Sequence, residues 1–287
     1  MPNEFNQQVI EEFRANAGQV GDHFEGARLL LLTTTGARSG DRHTTPVGYY
    51  PDGDGRVLVI ASAGGAPKHP DWFHNLVAYP HVTVESGVFT YEAKAEVLNG
   101  ADRDDAFARA VEADSGWAEY QAGTSQVIPV VALHPIAHSG PPDINASSMG
   151  QIIKAVHDAF RRELVLIRRE IDEAGATLGA QLRVNCLAFC QGLHNHHTGE
   201  DTILFPFLAD RRPGLDPTMD RLRAEHENIA ALTAELKQVI GSGSADTRHV
   251  RDEVERLTAA LEAHLAYEEA QLIPALDASA GPVSGSS

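Results

Sequence analysis

The sequence predicts an α+β chain of two domains, a closed or nearly closed antiparallel β-barrel followed by an up-down four-helix bundle. Three observations carry that expectation. Six short β-type runs separated by turn signals fill the first part of the chain. A stretch rich in Pro, Gly and Ser without periodicity follows. The rest repeats itself: HHTGEDTILFPFL at 196–208 and HLAYEEAQLIPAL at 264–276 both read His-x3-Glu-x5-Pro, and a single histidine precedes each, His157 and His226. The predicted boundaries are residues 1–135 for the barrel, 136–148 for a linker, 149–277 for the bundle and 278–287 for a disordered tail.

Taken in order, Phe5, Val9, Ile10 and Phe13 recur at helical spacing, so the chain opens on an amphipathic helix. The β-type runs are 28–35, 46–51, 56–62, 81–85, 88–98 and 127–133, with Asp52-Gly53-Asp54-Gly55 and Ser86-Gly87 as turns. Helices are expected over 70–78 and 101–114. Two loops carry chemistry. Gly36 and Gly40 free the backbone around Arg38 and Ser39, with Arg42 and His43 beyond, a combination that suits phosphate or carboxylate oxygens. Ser62, Gly64 and Gly65 allow close approach to a flat ligand, and Lys68 adds a cation.

In the second half each predicted helix places a ligand-type residue on its apolar stripe. Ile153, Leu164 and Ile167 share a face with His157; Leu193, Ile203 and Phe207 surround His196 and Glu200. Leu222 and Ile229 flank His226, and Leu257, Leu261 and Leu272 surround His264 and Glu268. Residues four apart on a helix lie one above the other, so each His/Glu pair aims at one spot. An unpartnered buried carboxylate costs several kcal/mol, and a domain's whole margin is about 5–15 kcal/mol. No Lys or Arg falls on these stripes near the motifs, so a bound cation is expected among the six. Four His and two Glu fit a dinuclear site with bridging carboxylates. Nitrogen and oxygen donors without thiolate suit iron, ahead of manganese and zinc. His197, about 60° off the stripe, is the next ligand candidate, whether direct or supporting. His194 is expected in solvent. Glu269 and Asp201 face water or buttress a histidine. Cys186 and Cys190 read as packing residues.

A formal net charge of −17, shared between the halves, argues against nucleic acid and anionic membrane surfaces as partners. With no apolar run of spanning length and no signal-type N-terminus, a cytoplasmic protein is expected. A homodimer is compatible with the sequence.

The blocks LLLLTTTGARSG, ASAGGAPKHPDWFHNL, VTVE, WAEYQ and IPVVAL, in that order, make residues 5–135 resemble the deazaflavin-dependent nitroreductases. That resemblance implies a split β-barrel, the coenzyme F-420, and hydride transfer to a quinone, nitro compound or similar small-molecule acceptor. It implies that Arg38, Ser39, Arg42 and Lys68 meet the coenzyme's phosphate and polyglutamate tail. Ser62, Gly64 and Gly65 would line the ring, and Tyr120 would face the substrate as the catalytic residue. Ala37, where the family often has a basic residue, and the altered spacing at Arg42-His43 leave FMN as the alternative cofactor.

The repeat resembles the hemerythrin-like HHE cation-binding bundles over 149–277. It carries over His157, His196, Glu200, His226, His264 and Glu268 and implies two iron ions that bind dioxygen, nitric oxide or peroxide, or sense iron. The expected function is a deazaflavin-dependent oxidoreductase fused to a di-iron domain. The alternatives are a non-enzymatic iron or oxygen sensor, or a flavin plus di-iron reductase of oxygen or nitric oxide.

Overall fold

The computed structural model describes residues 4–21, 24, 26–53, 55–136, 143–144, 148–241 and 246–278. The chain forms two compact units, Met1–Asn145 with Gly179–Asn185, and Ala146–Leu178 with Cys186–Ser287.

In the first unit, α1 (Glu4–Ala15) precedes strands β1 (Leu29–Thr35), β2 (Arg42–Pro51) and β3 (Val57–Ile60). After α2 (Asp71–Ala78) come β4 (His81–Ser86) and β5 (Phe89–Val97), then α3 (Gly100–Ala113), α4 (Gly116–Ala122) and β6 (Val130–Pro135). The strands run in the order β4-β1-β2-β3-β6-β5, and β5 pairs back onto β4, so the sheet closes into an antiparallel barrel. Closure is possible because β5 is long. It pairs with β4 along Phe89–Lys94 and with β6 from Ala93 onward.

The four leucines of β1 do not alternate with polar residues because both faces are covered. Leu30 and Leu32 point into the barrel with Val59, Val84, Val131 and Leu133. Leu29 and Leu31 point out, against Val9, Ile10 and Phe13 of α1. The same division holds at β3 and β6, whose outer residues Leu58, Ile60, Val130 and Ala132 pack on Ala106, Phe107 and Ala110 of α3. Trp72 and Leu76 of α2 join the interior core.

Two features differ from the sequence expectation. The stretch expected to be a plain linker contributes a short strand, β7 (Asp143–Ile144), paired with Phe89 and Thr90 of β5. The helix α4, too short to show periodicity, appears around WAEYQ. Residues 279–287, expected as a disordered tail, lie outside the described residues.

The second unit contains α5 (Met149–Glu173), α6 (Ala180–Gly199), α7 (Phe205–Arg211), α8 (Asp216–Gly241) and α9 (Thr247–Asp277). The start of α6, through Asn185, groups with the barrel unit. Ser148 caps α5 by accepting from the Gln151 amide at 3.2 Å, and Asp246 caps α9 through Arg248. Helix α9 packs on both α5 and α8.

Between α6 and α7 the chain makes a π turn, Glu200–Leu204. One extra residue in a turn advances the phase of everything after it. Ile203 and Phe207, expected on the buried stripe, are therefore 72% and 45% exposed, and Phe205 and Leu208 are buried in their place. Among the described residues, no helix is long and apolar enough to cross a membrane.

Candidate functional site

Five helical segments bring seven donor side chains to one buried region: His157 from α5, His196 and His197 from the end of α6, Glu200 from the π turn, His226 from α8, and His264 and Glu268 from α9. They fall into two groups, His197/His226/His264 and His157/His196/Glu200/Glu268. Within each group, one donor atom per residue lies within 4.8 Å of all the others. Both carboxylates sit between the groups. Glu200 reaches His196 Nε2 at 3.3 Å with one oxygen and His226 Nε2 at 3.5 Å with the other. Glu268 Oε2 is 3.4 Å from His157 Nε2 and 3.5 Å from His264 Nε2. The upstream histidine of each hairpin thus meets the glutamate of the other hairpin.

The five Nε2 atoms and four carboxylate oxygens are buried and make no hydrogen bond. Three histidines are tied at the opposite ring nitrogen: His157 Nδ1 to Glu269, His226 Nδ1 to Asp201 and His264 Nδ1 to Glu225, each at 3.0 Å. An ionised carboxylate can only accept, so Nδ1 carries the proton in each pair. A neutral ring then turns its Nε2 lone pair inward, toward carboxylate oxygens that, when ionised, also only accept. Acceptor faces acceptor, and a cation resolves that repulsion where a further hydrogen bond cannot. The donor set of imidazoles and carboxylates therefore fits metal. Among the described residues, Glu200 and Glu268 pair with histidines only, and no Lys or Arg reaches them.

Burial sets the electrostatics. It pulls the His196 imidazole down to about 3, with His157 adding to the effect. It lowers His197 and His226 as well, the latter with help from His264. Burial, then the neighbouring Glu268, holds the Glu200 carboxyl well above its usual range. Rings seal the site: Phe205 stacks on His226 at 5.6 Å, and Phe160 lies 5.3 Å from His196.

The structure thus brings all six sequence-predicted ligands together and adds His197, which stacks on His226 at 4.0 Å. His194 is exposed, and Cys186 and Cys190 are buried and not joined in a disulfide. Glu225 had no sequence signal, because it precedes His226 directly and reads as a surface charge.

In the barrel unit the second loop is tightly shaped. Ser62 Oγ accepts from the Gly64 amide at 3.3 Å, and Ala63, Gly64 and Gly65 are all left-handed, with φ of 48°, 64° and 79°. A β-carbon on Gly65 would stand 3.2 Å from Tyr120 Cδ1, so Gly65 and Tyr120 are in contact. Tyr120 also packs edge-on against Trp117, whose indole donates to Tyr50 at 2.8 Å. The first loop is pinned to α2, because Asn75 accepts from the Ala37 amide and donates to Thr34. Ser39 turns inward and accepts from the Asp41 amide, and Arg42 donates to Thr83 at 2.6 Å. Arg38 and Lys68 stay exposed.

Residues 6–135 match the family model described as F420H(2)-dependent quinone reductase, and residues 148–276 match the hemerythrin HHE cation binding domain. An F420H(2)-dependent quinone reductase of Mycobacterium tuberculosis (strain ATCC 25618 / H37Rv) is 37% identical over 125 residues, which are 42% of this chain and 83% of that protein. A solved F420-H2 dependent reductase (FDR-A) is 37% identical, covers 40% of this chain and 98% of its own, and superposes with a TM-score of 0.35. Barrel and relatives together define an oxidoreductase whose helical unit gathers a donor set that could hold metal. The chain belongs to the F420H(2)-dependent quinone reductases, and its second half is similar to the hemerythrin HHE cation binding domain.

Proposed function

We propose that the first unit uses F-420 to reduce a quinone, nitro compound or related acceptor, and that the second, an up-down bundle, holds two iron ions that bind or sense dioxygen, nitric oxide or iron. The reduced deazaflavin would supply the hydride. Ser62, Gly64 and Gly65 would lie against its ring, Arg38 and Lys68 would meet its anionic tail, and Ser39 would shape the turn that carries Arg38. Tyr120, in van der Waals reach of Gly65, would hydrogen-bond the acceptor as charge develops there. In the bundle, His197, His226 and His264 would hold one ion and His157 and His196 the other, with Glu200 and Glu268 between them. Iron so held would supply one-electron redox chemistry and an affinity for small diatomic ligands. The single observation that carries the bundle reading is the set of buried, unpartnered Nε2 and carboxylate oxygen atoms facing one another.

The test combines metal analysis of the purified chain with titration of F-420 and of FMN, followed by turnover with a quinone. Two iron per chain, F-420 binding and acceptor-dependent oxidation at 420 nm are expected. A chain that binds neither cofactor would remove the reductase reading and leave a metal-binding or sensing protein. One observation favours a flavin instead. Arg42 is engaged with Thr83 and Ser39 with its own turn, so fewer free groups remain for a long anionic tail. FMN binding in preference to F-420, with reduction of the iron, would select the flavin plus di-iron reductase.

A further inference from the structure

Laying one hairpin of the bundle on the other pairs His157 with His226, His196 with His264, Glu200 with Glu268 and Asp201 with Glu269. The supporting contacts obey the same relation, since His157 Nδ1 meets Glu269 and His226 Nδ1 meets Asp201. The relation fails at two places. His197 is matched by Leu265, and Glu225 is matched by Val156. Glu225 holds His264 Nδ1 at 3.0 Å, whereas no hydrogen bond to His196 Nδ1 is seen among the described residues. Both departures fall on the same group. The His197/His226/His264 group has three imidazoles, two of them backed by carboxylates; the His157/His196 pair has one backed imidazole.

A carboxylate on Nδ1 fixes the tautomer and makes Nε2 a stronger donor, and its loss typically costs about 10- to 100-fold in metal affinity. Resting on the dinuclear reading above, we infer that the two metal positions are unequal: the His197/His226/His264 position fills first, and Asp201 and Glu225 are its positioning residues, with Glu269 serving the other. The roles do not require the carboxylates to touch the metal. Each acts through the ring it orients.

The test is an anaerobic titration of the chelator-stripped full chain with Co(II), read by its visible absorption, with Fe(II) in parallel. Wild type is expected to take up two equivalents in two phases about 10- to 100-fold apart. Asp201→Asn and Glu225→Gln should each weaken the tighter phase alone, and Glu269→Gln the weaker phase alone. Val156→Glu, which puts a carboxylate at the half-buried position matching Glu225 in the other hairpin, should tighten the weaker phase and narrow the gap. That gain cannot come from a damaged fold. Two equivalents bound in one indistinguishable phase, or Glu269→Gln weakening the tighter phase, would overturn the inference and leave the dinuclear reading intact. Uptake of fewer than two equivalents by wild type would refute both.

Discussion

Replacing His197 by leucine should move the stability of the helical unit in opposite directions with and without metal. The His197 side chain is buried, its Nε2 has no partner, and burial keeps the ring uncharged. Leaving a buried polar atom unsatisfied costs about 1–3 kcal/mol. Leucine removes that cost and brings its own burial, against the loss of the ring stack on His226, worth about 0.5–1.5 kcal/mol. The matching position of the second hairpin is already a leucine, Leu265, fully buried. We therefore expect metal-free His197→Leu to be more stable than metal-free wild type by about 1–3 kcal/mol, or about 2–8 °C in Tm per kcal/mol. With metal the order reverses. A ligand at 100 times its Kd adds about 2.7 kcal/mol to the folded state, and the variant loses much of that increment. The assay is thermal unfolding at 222 nm, in chelator and in excess Fe(II) or Co(II). If His197→Leu lowers Tm in chelator, the Nε2 atom is satisfied without a cation and the reasoning fails.

Acid should destabilise the metal-free helical unit. His196, His197 and His226 are pulled below their ordinary 6.5, His196 to about 3, so the unfolded chain binds more protons. Their contribution is complete above pH 6.5 and is lost as pH falls from there toward about 3. Glu200, raised by burial, works with the opposite sign, losing its contribution as pH rises from 4.5, but it stands alone against three rings. A chelated protein whose Tm rises between pH 7 and 5 would contradict this. Gly65→Ala forces a β-carbon to φ +79° and to within 3.2 Å of Tyr120. It should cost about 1 kcal/mol or more of barrel stability and weaken coenzyme binding, seen by titration; binding at wild-type strength would show that the loop lies away from the ring. Tyr120→Phe should leave coenzyme affinity unchanged and lower kcat by about 10²-fold or more if the hydroxyl donates to the acceptor, and an unchanged kcat would reduce Tyr120 to packing.

The strongest sequence signals were those that repeat. A duplicated His-x3-Glu on two apolar stripes places four donors without knowledge of the fold, because i and i+4 always coincide on a helix, and His157 and His226 stand on apolar stripes of their own. His197 sat one residue off that stripe, and whether it turns inward depends on which neighbour it meets, here His226. Glu225 was invisible for the opposite reason. Its carboxylate crosses to a histidine on another helix, and no single-helix pattern records such a contact. Ile203 and Phe207 were misplaced because a constant angle per residue fails across a π turn. Pro206 is no reliable warning, since Pro274 occupies the same spacing within α9. In the barrel, unbroken Leu29–Leu32 signalled a strand covered on both sides, while α4 offered too few residues for any period to emerge.

The crossing of contacts at the centre, with Glu200 reaching His226 and Glu268 reaching His157, bears on how the helical unit matures. Neither half of the repeat owns a complete set of donors. A nascent chain that has emerged only through residue 211 offers three imidazoles and one carboxylate, with none of their partners from the later helices. Under the dinuclear reading, the donor set is complete only once α9 has joined the other helices, which makes metal occupancy a report on the assembled helical unit. Two separately expressed halves should then associate more firmly when the ion is supplied than when it is withheld.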